Sequence, residues 1–339
     1  SPHWRVSATT DLQEAIAGAR IVVVQIRFGG LEGRMEDERI ASRFGLPADE
    51  TLGPSGLHSA LRQAPMIRAL GRTLAEGCPD AWVLNLINPL SLSCTLLAES
   101  GLRRVVGICE LPLQTVACVA ALFGVNPGSV DWHYHGLNHR GFVTRAIAGD
   151  RDLIAALPDK LGDDRLLGIA ARTISELQAL PLKYFALLTE SKTHAGRAGI
   201  LMDLRRRALS ELQGDPGERP AALSERQMPW YEMAVVPIMG ALLGAQPFRT
   251  TVNIDDGSGC VRERPARVSS DSVRMLDGPR APDPVSRWNA LFEAHERACL
   301  AAVAAPGRQT LRDAVAKDPI VPERLINEVA DAIADAFPL

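Results

Sequence analysis

In the stretch "VVGICELPLQT" (residues 105–115) a cysteine and a glutamate stand side by side at the end of an apolar run. A thiol there becomes a metal ligand or nucleophile once ionised, and a following helix N-terminus favours the thiolate. Pro112 fits the first turn of such a helix, where its missing N–H costs nothing. Further along, "HYHGLNHR" supplies His133, His135 and His139. Cysteine plus histidine suggests a metal site. A buried cysteine and a surface histidine cluster is the plainer reading, because no C-x-x-C pair supports the first.

Three further groups carry possible chemistry. Asn85 and Asn88 in "NLINP" either form an ordinary turn after a strand or offer amides to a cofactor ribose or a substrate hydroxyl. Arg27 and Arg34 flank the glycines of "IRFGGLEGR", where guanidinium groups grip a phosphate or carboxylate bidentately or serve solubility alone. "ETLGPSG" (50–56) is a loop able to approach a ligand closely, or a plain turn before a helix. Tyr231, in "MPWYEMAVV", is one of three tyrosines. A tyrosine beside a cation works as a general base; otherwise it is an amphipathic core residue.

The elements that must position these groups are legible. "ARIVVVQIRFGG" (19–30), "AWVLNLINPL" (81–90) and "RRVVGICELP" (103–112) are short continuous apolar runs, the pattern of strands buried on both faces of a parallel sheet. Helical patterns at 55–78, 91–101 and 111–124 separate and follow them. Alternating strand and helix predicts an α/β fold with a doubly wound, Rossmann-like parallel sheet. Ligands bind beyond the carboxyl ends of such strands, where Arg27, Asn88, Cys109 and Glu110 fall. From about residue 150 the pattern changes. Segments 165–189, 196–213 and 222–245 read as helical, 249–269 as strands with a tight turn, and 284–337 as two or three helices. The expected organisation is a Rossmann-like domain over 1–145 and a C-terminal α+β domain over 146–339.

Composition narrows the function classes. The 339 residues are 46% hydrophobic and carry a net charge of −3, so no basic excess argues for nucleic acid or an anionic membrane. Arg205-Arg206-Arg207 reads as the solvated face of a helix. Six scattered cysteines form no disulfide framework, which suits a reducing cytoplasm. Cys94 and Cys118 read as core. No apolar run is long enough to span a bilayer.

In order along the chain come Arg-x-Gly-Gly-Leu-x-x-Arg (27–34), Glu-Thr-x-Gly-Pro-x-Gly (50–56), Cys-Pro-Asp-Ala-Trp with Asn-x-x-Asn-Pro (78–89), Val-Gly-x-Cys-x-x-Pro (106–112) and Gly-Leu-Asn-His (136–139). This ordered set resembles the NAD- and divalent-metal-dependent family-four glycoside hydrolases of the 6-phospho-glucosidase group, an exception to two-carboxylate hydrolysis. The resemblance is good over residues 5–145 and continues weakly through "PWYEMA" and "DPIVP".

The resemblance implies a lactate/malate-dehydrogenase-like fold and a distinct chemistry. NAD⁺ takes hydride from C3 of the sugar, a divalent metal, typically Mn²⁺, polarises the C2 and C3 oxygens, and a base removes the acidified C2 proton. The aglycone leaves from C1, water adds and the hydride returns. It implies Cys109 and His139 as metal ligands, Tyr231 as the C2 base and Glu110 as the acid for the leaving group. Gln25, Arg27, Asn85 and Asn88 would meet the cofactor, and Arg34, Asn88 and Asn138 the substrate. Pro112 and Gly-Leu-Asn-His point to the phospho-sugar members.

Two features depart from the family. No G-x-G-x-x-G opening is present to cradle a pyrophosphate, and "VSATTDLQEAIAGARIVV" looks like the family's sequence well inside its first domain. The chain, which opens at Ser1, is therefore expected to be part of a longer protein; loss of half the cofactor site is the alternative. Glu110 and the "DDGSG" turn (255–259) leave the substrate open. A small phosphorylated glycoside is the expected partner, in a cytoplasmic homodimer or homotetramer. A lactate/malate-dehydrogenase-like oxidoreductase and a non-catalytic sugar- or nucleotide-binding relative are the competing readings.

Overall fold

The structure, a computed structural model, describes residues 5–189 and 196–337. A short α1 (Leu12–Ile16), capped by the Asp11 carboxylate, leads into β1 (Ile21–Val24). Next come α2 (Gly30–Ser42), α3 (Gly53–Gly77), β2 (Trp82–Asn85), α4 (Leu90–Glu99), β3 (Val105–Gly107) and α5 (Leu111–Leu122). Strands β1, β2 and β3 are parallel neighbours in that order. They read as unbroken apolar runs because both faces are covered. Leu57, Leu61, Leu74 and Leu97 of α3 and α4 pack on one face, against Val83 and Val105. On the other face, Leu84 and Val106 meet Ile238, Ala241 and Leu242.

A hairpin follows, β4 (Asp131–Leu137) and β5 (Arg140–Ala148), and then β6 (Arg151–Asp152) and α6 (Leu153–Leu161). The segment expected to be helical over 165–189 is helical only in part, with a 3-10 turn over Lys183–Phe185 leading into its last helix. It holds β7 (Arg165–Leu166), β8 (Ile169–Ala170), α7 (Ala171–Leu177), β9 (Leu180–Pro181) and α8 (Ala186–Thr189). Leu167 and Gly168 take positive φ at the β7–β8 turn, and Gln178 stops α7 in the left-handed region. Each ends a run that apolar spacing alone would have continued.

The remaining expectations hold more closely. Helix α9 (Arg197–Gly214) matches its segment, and the 222–245 stretch contains α10 (Val236–Leu242) after a π-turn over Tyr231–Val235. Strands β10 (Phe248–Asp255) and β11 (Val261–Ser269) form the hairpin, with β12 (Ser272–Met275) beside β11. In its "DDGSG" turn, Asp255 and Asp256 accept the N–H groups of Gly257 and Ser258, the side-chain-stabilised turn that aspartate favours. Helices α11 (Asp283–Ala304), α12 (Arg308–Ala316) and α13 (Ile326–Ala336) complete the chain.

One sheet joins the two halves, in the order β1-β2-β3-β10-β11-β4-β5-β6, with β12 and β9 off this path. It crosses residue 145 without a break, since β5 runs through to Ala148. Arg205, Arg206 and Arg207 form the solvated face expected of them, paired with Glu32, Asp203 and Glu225. Cys94 is buried, whereas Cys118 is only half-buried on α5.

Helices α2 and α3 are clamped by a buried ion cluster. Asp37 accepts from His58 at 2.8 Å and from Arg62 at 2.7 Å. Burial pushes the Asp37 carboxyl up, but these two partners outweigh it and hold it below its ordinary value. Asp37→Ala leaves Arg62 and His58 facing a gap, and is expected to cost about 3–5 kcal/mol in urea unfolding. A carboxyl with a lowered folded-state pKa stabilises above its unfolded value and loses that contribution as pH falls through the folded one. The wild type should therefore lose more stability than the mutant as pH drops below about 4. Equal acid sensitivity of the two proteins would contradict the clamp.

Candidate active site

Register places the site. Val24, Asn85, Gly107, Asn253, Glu263 and Gly136 are successive partners across β1, β2, β3, β10, β11 and β4. Past this row β1, β2 and β3 end, and a cavity of about 400 Å³ opens there. Gln25, Arg27 and Asn88 wall it at the ends of β1 and β2, and Cys109 and Glu110 at the end of β3. Asn138 and His139 enter from the β4–β5 turn, Lys183 and Tyr184 from the loop before α8, and Arg226 and Trp230 from the loop before α10.

The His139 turn is tight. Two residues join β4 to β5, and His139 adopts φ +62°, uncommon outside glycine and suggestive of function. Its ring stacks on Tyr184, with centroids 4.3 Å apart. Burial drives its pKa down to about 3, so the imidazole is neutral, and its buried Nδ1 has no hydrogen-bond partner. A neutral imidazole with a free buried nitrogen, on the cavity that Cys109 also lines, fits a borderline-soft divalent cation. Among the described residues no cluster of three or more His, Cys, Asp or Glu is placed to hold one; Cys109 and His139 are the two candidate ligands on this cavity.

The thiol is not a free-standing thiolate. Burial, with Glu263 and Glu110 nearby, holds the Cys109 pKa well above its ordinary value. The α5 N-terminus beside it does not overcome that cost. Cys109 is therefore inert as a nucleophile by itself, and a cation is what would make it ionise. Burial also raises the Glu110 carboxyl, which lies at the N-cap of α5.

The structure separates the other candidate residues. His133 and His135 are not at this cavity; alternation along β4 turns them into a separate pocket with Arg249 and Arg264. Asn85 lies fully buried below it. Its amide donates to Ser93 and accepts from the Ile87 N–H, shaping the β2–α4 turn instead of a ligand site. Arg34 is also buried and off the wall, bound to Glu38 at 2.7 Å and Glu50 at 2.8 Å. Arg27 and Asn88 reach the cavity and both contact Glu50. Burial pushes the Glu50 carboxyl up, but Arg27 and Arg34 outweigh it and hold it below its ordinary value. Glu50 is the polar hub of this wall, which explains the acidic residue opening "ETLGPSG".

Tyr231 does not itself line the cavity; its hydroxyl donates to Gln25, which does. Sequence reasoning passed over Tyr184, Lys183 and Arg226. The signal was thin, since "LPLKYFALL" looks like a helix and its tyrosine like core. Lys183 sits 5.4 Å from the centre of the Tyr184 ring, and Arg226 5.6 Å from that of Trp230. Neither cation has an acidic partner among the described residues. For a cofactor at the β1–β2 end, the buried Gln63 Oε1 and Trp230 Nε1 are unpaired polar atoms in the same wall. They fit the polar edge of a nucleotide.

Comparison with known proteins finds similar chains. A family model described as "Family 4 glycosyl hydrolase" matches residues 1–125. A probable 6-phospho-beta-glucosidase of Bacillus subtilis is 26% identical, the alignment covering 98% of this chain and 82% of that protein. Among solved structures, a 6-phospho-alpha-glucosidase from gut microorganisms, in complex with NAD and Mn²⁺, superposes with a TM-score of 0.82. It is 19% identical, with 97% of this chain and 83% of that one covered. Malate dehydrogenase of Cryptosporidium parvum is more distant, with a TM-score of 0.52, 14% identity and coverages of 86% and 79%. The Rossmann-like fold is shared with the dehydrogenases; the detailed shape follows the glucosidases.

Proposed function

We propose, from the premise that the chain belongs to the family 4 glycosyl hydrolases, that it cleaves 6-phospho-glucosides by oxidation at C3 and elimination across C1–C2. One observation carries the reading: Cys109 and a neutral His139 face one cavity at the strand ends, together with Lys183 and Arg226, cations that form no close ion pair among the described residues. When bound, NAD⁺ supplies reversible hydride transfer at C3 and a divalent cation such as Mn²⁺ supplies charge stabilisation at the C2 and C3 oxygens. Cys109 and His139 would hold the cation. Gln25, Arg27 and Asn88 would bound the cofactor side, with Asn88 and Asn138 directed to sugar hydroxyls.

The remaining residues work on protons and charge. Glu110, partly buried beside Cys109, delivers the proton to the leaving glycosidic oxygen. Tyr184 would take the C2 proton, its ring stacked on His139 within the cavity; burial and the nearby acids hold its hydroxyl pKa well above its ordinary value, so the role depends on the charge of a bound cation. Tyr231, the base implied by resemblance, reaches this space only through Gln25. Arg226 and Lys183 meet the 6-phosphate, a role Arg34 cannot take while locked to Glu38 and Glu50. On this reading residues 1–145 carry the cofactor side, and 146–339 carry substrate recognition and a homo-oligomeric interface. Six free cysteines fit a cytoplasmic setting.

Paired α- and β-linked nitrophenyl glucosides, with and without the 6-phosphate, test the proposal. Nitrophenol release is expected from one phosphorylated anomer only. Arg226→Ala should raise its KM by about 10–100-fold, the worth of one hydrogen bond to a charged group, with a smaller change in kcat. Equal rates on phosphorylated and unphosphorylated sugars would count against a phosphate subsite.

A further inference from the structure

A charged group that the mechanism above leaves unused lies directly behind the metal-binding pair. Glu263 is 1% exposed, in the middle of the ten-stranded sheet. Isolating a carboxylate there costs several kcal/mol unless it is paired and hydrogen-bonded. Its neighbours show why it is tolerated. Along the row across the sheet, Glu263 is flanked by Asn253 on β10 and Gly136 on β4. Cys109, two positions past Gly107, and Asn138, two past Gly136, lie just beyond the ends of β3 and β4, and both neighbour the Glu263 carboxyl; Tyr134 lies two positions back on β4, on the same face as Gly136.

The carboxylate is gripped on both oxygens. Oε2 accepts from the Tyr134 hydroxyl, and Oε1 from Asn253 Nδ2 at 3.0 Å. Two glycines make room for these partners. A Cβ on Gly107 would lie 2.8 Å from the Asn253 Cβ, and a Cβ on Gly141 would occupy the space of the Tyr134 hydroxyl. Asn138 sits beside both the Cys109 thiol and the Glu263 carboxylate. Burial raises the Glu263 pKa to about 7, against the pull of its Tyr134, Asn253 and Asn138 partners; no cation among these neighbours favours its charged form, and the nearest ionisable groups, Cys109, Glu110 and Tyr134, are acids themselves. The arrangement is built, buried and lacks a positive partner.

We propose that Glu263, held by Tyr134 and Asn253, is a positioning residue for the divalent cation: it fixes the Cys109–Asn138–His139 corner and adds negative charge behind the Cys109 thiolate and the neutral His139. The inference rests on the metal reading above and adds a residue outside the cavity wall. A buried carboxylate behind the ligands of a metal orients them and raises their basicity, and loss of such a partner typically weakens binding. Its unfavourable burial is offset once a dication arrives, so the apoprotein bears a cost that the metal relieves.

The test is Mn²⁺ binding to the whole chain without substrate, followed by the EPR signal of free Mn²⁺, together with the shift in melting temperature that Mn²⁺ produces. Glu263→Gln keeps the shape and removes the charge; it is expected to weaken Mn²⁺ binding by about 10–100-fold and to shrink the melting shift. Glu263→Asp, which restores charge, should recover part of that loss. Tyr134→Phe keeps the carboxylate and removes one support, so its loss should be smaller than that of Glu263→Gln; this variant carries the test should Glu263→Gln not fold. Glu296→Gln controls for burial alone: Glu296 is an equally enclosed carboxylate that accepts from Ser91, away from the cavity, and its loss should alter stability but not Mn²⁺ affinity. Wild-type Mn²⁺ affinity in Glu263→Gln, or in Tyr134→Phe, would overturn the inference while leaving the metal reading intact. Absence of binding to the wild type, or undiminished binding to Cys109→Ser, would overturn the metal reading and the inference with it.

Discussion

Cys109→Ser protein is expected to lose metal-dependent turnover by on the order of 10³-fold or more, since the cation's charge stabilisation is worth several kcal/mol and each 1.36 kcal/mol is tenfold in rate. The fold should survive. The side chain is buried at the β3–α5 junction, and a serine there changes little volume; the hydroxyl costs about 1–3 kcal/mol if unpaired. The decisive comparison is kcat at saturating Mn²⁺ alongside the near-ultraviolet circular dichroism. A native spectrum with lost activity fits a ligand. Full activity in the serine protein would remove Cys109 from the metal site. The high thiol pKa makes a further point: because burial and the nearby Glu263 and Glu110 outweigh the Leu111 N–H and Asn138, which favour ionisation, Mn²⁺ uptake should release a proton, measurable in weakly buffered solution.

The second large effect concerns the base. Tyr184→Phe is expected to slow exchange of the substrate C2 proton with solvent deuterium by about 10²–10⁴-fold, the range for loss of a positioned general base. Tyr231→Phe should slow it far less, because that hydroxyl is engaged with Gln25 and stands outside the wall. The geometry distinguishes the two phenols in a way the sequence does not. Tyr184 lies against His139 and faces Cys109 and Glu110, whereas Tyr231 starts a π-turn on the far side of β1. The opposite order of effects would return the role to Tyr231.

Much of this site was legible before the fold was known, for physical reasons that can be named. The three apolar runs had to be buried parallel strands, and side chains just beyond such strands converge on one crevice. That argument placed Arg27, Asn88, Cys109 and Glu110 correctly. Asn85 and Arg34, offered by their motifs and the resemblance, do not reach the cavity: the Asn85 amide is consumed by the β2–α4 turn, and Arg34, four residues before a glutamate on its helix, pairs with Glu38. The histidines share one parity, and the end of β4 divides them. His133 and His135 leave the sheet on one face, while His139 escapes that alternation only because it lies in the turn. Tyr184 and Arg226 were invisible, since their loops reach the cavity through tertiary packing that no local pattern announces. Glu263 was equally hidden: its burial follows from pairing between β10 and β11, and its relation to Cys109 from β3 joining β10.

The most direct test of the central claim is a single reaction in deuterium oxide. The full chain would be given a nitrophenyl 6-phosphoglucoside with NAD⁺, Mn²⁺ and a thiol reductant, then with each of the first two omitted. Oxidation at C3 followed by C2 deprotonation predicts nitrophenol release only when both are present, and deuterium at C2 of the glucose 6-phosphate formed. Release that proceeds without NAD⁺, yielding product with protium at C2, would contradict it.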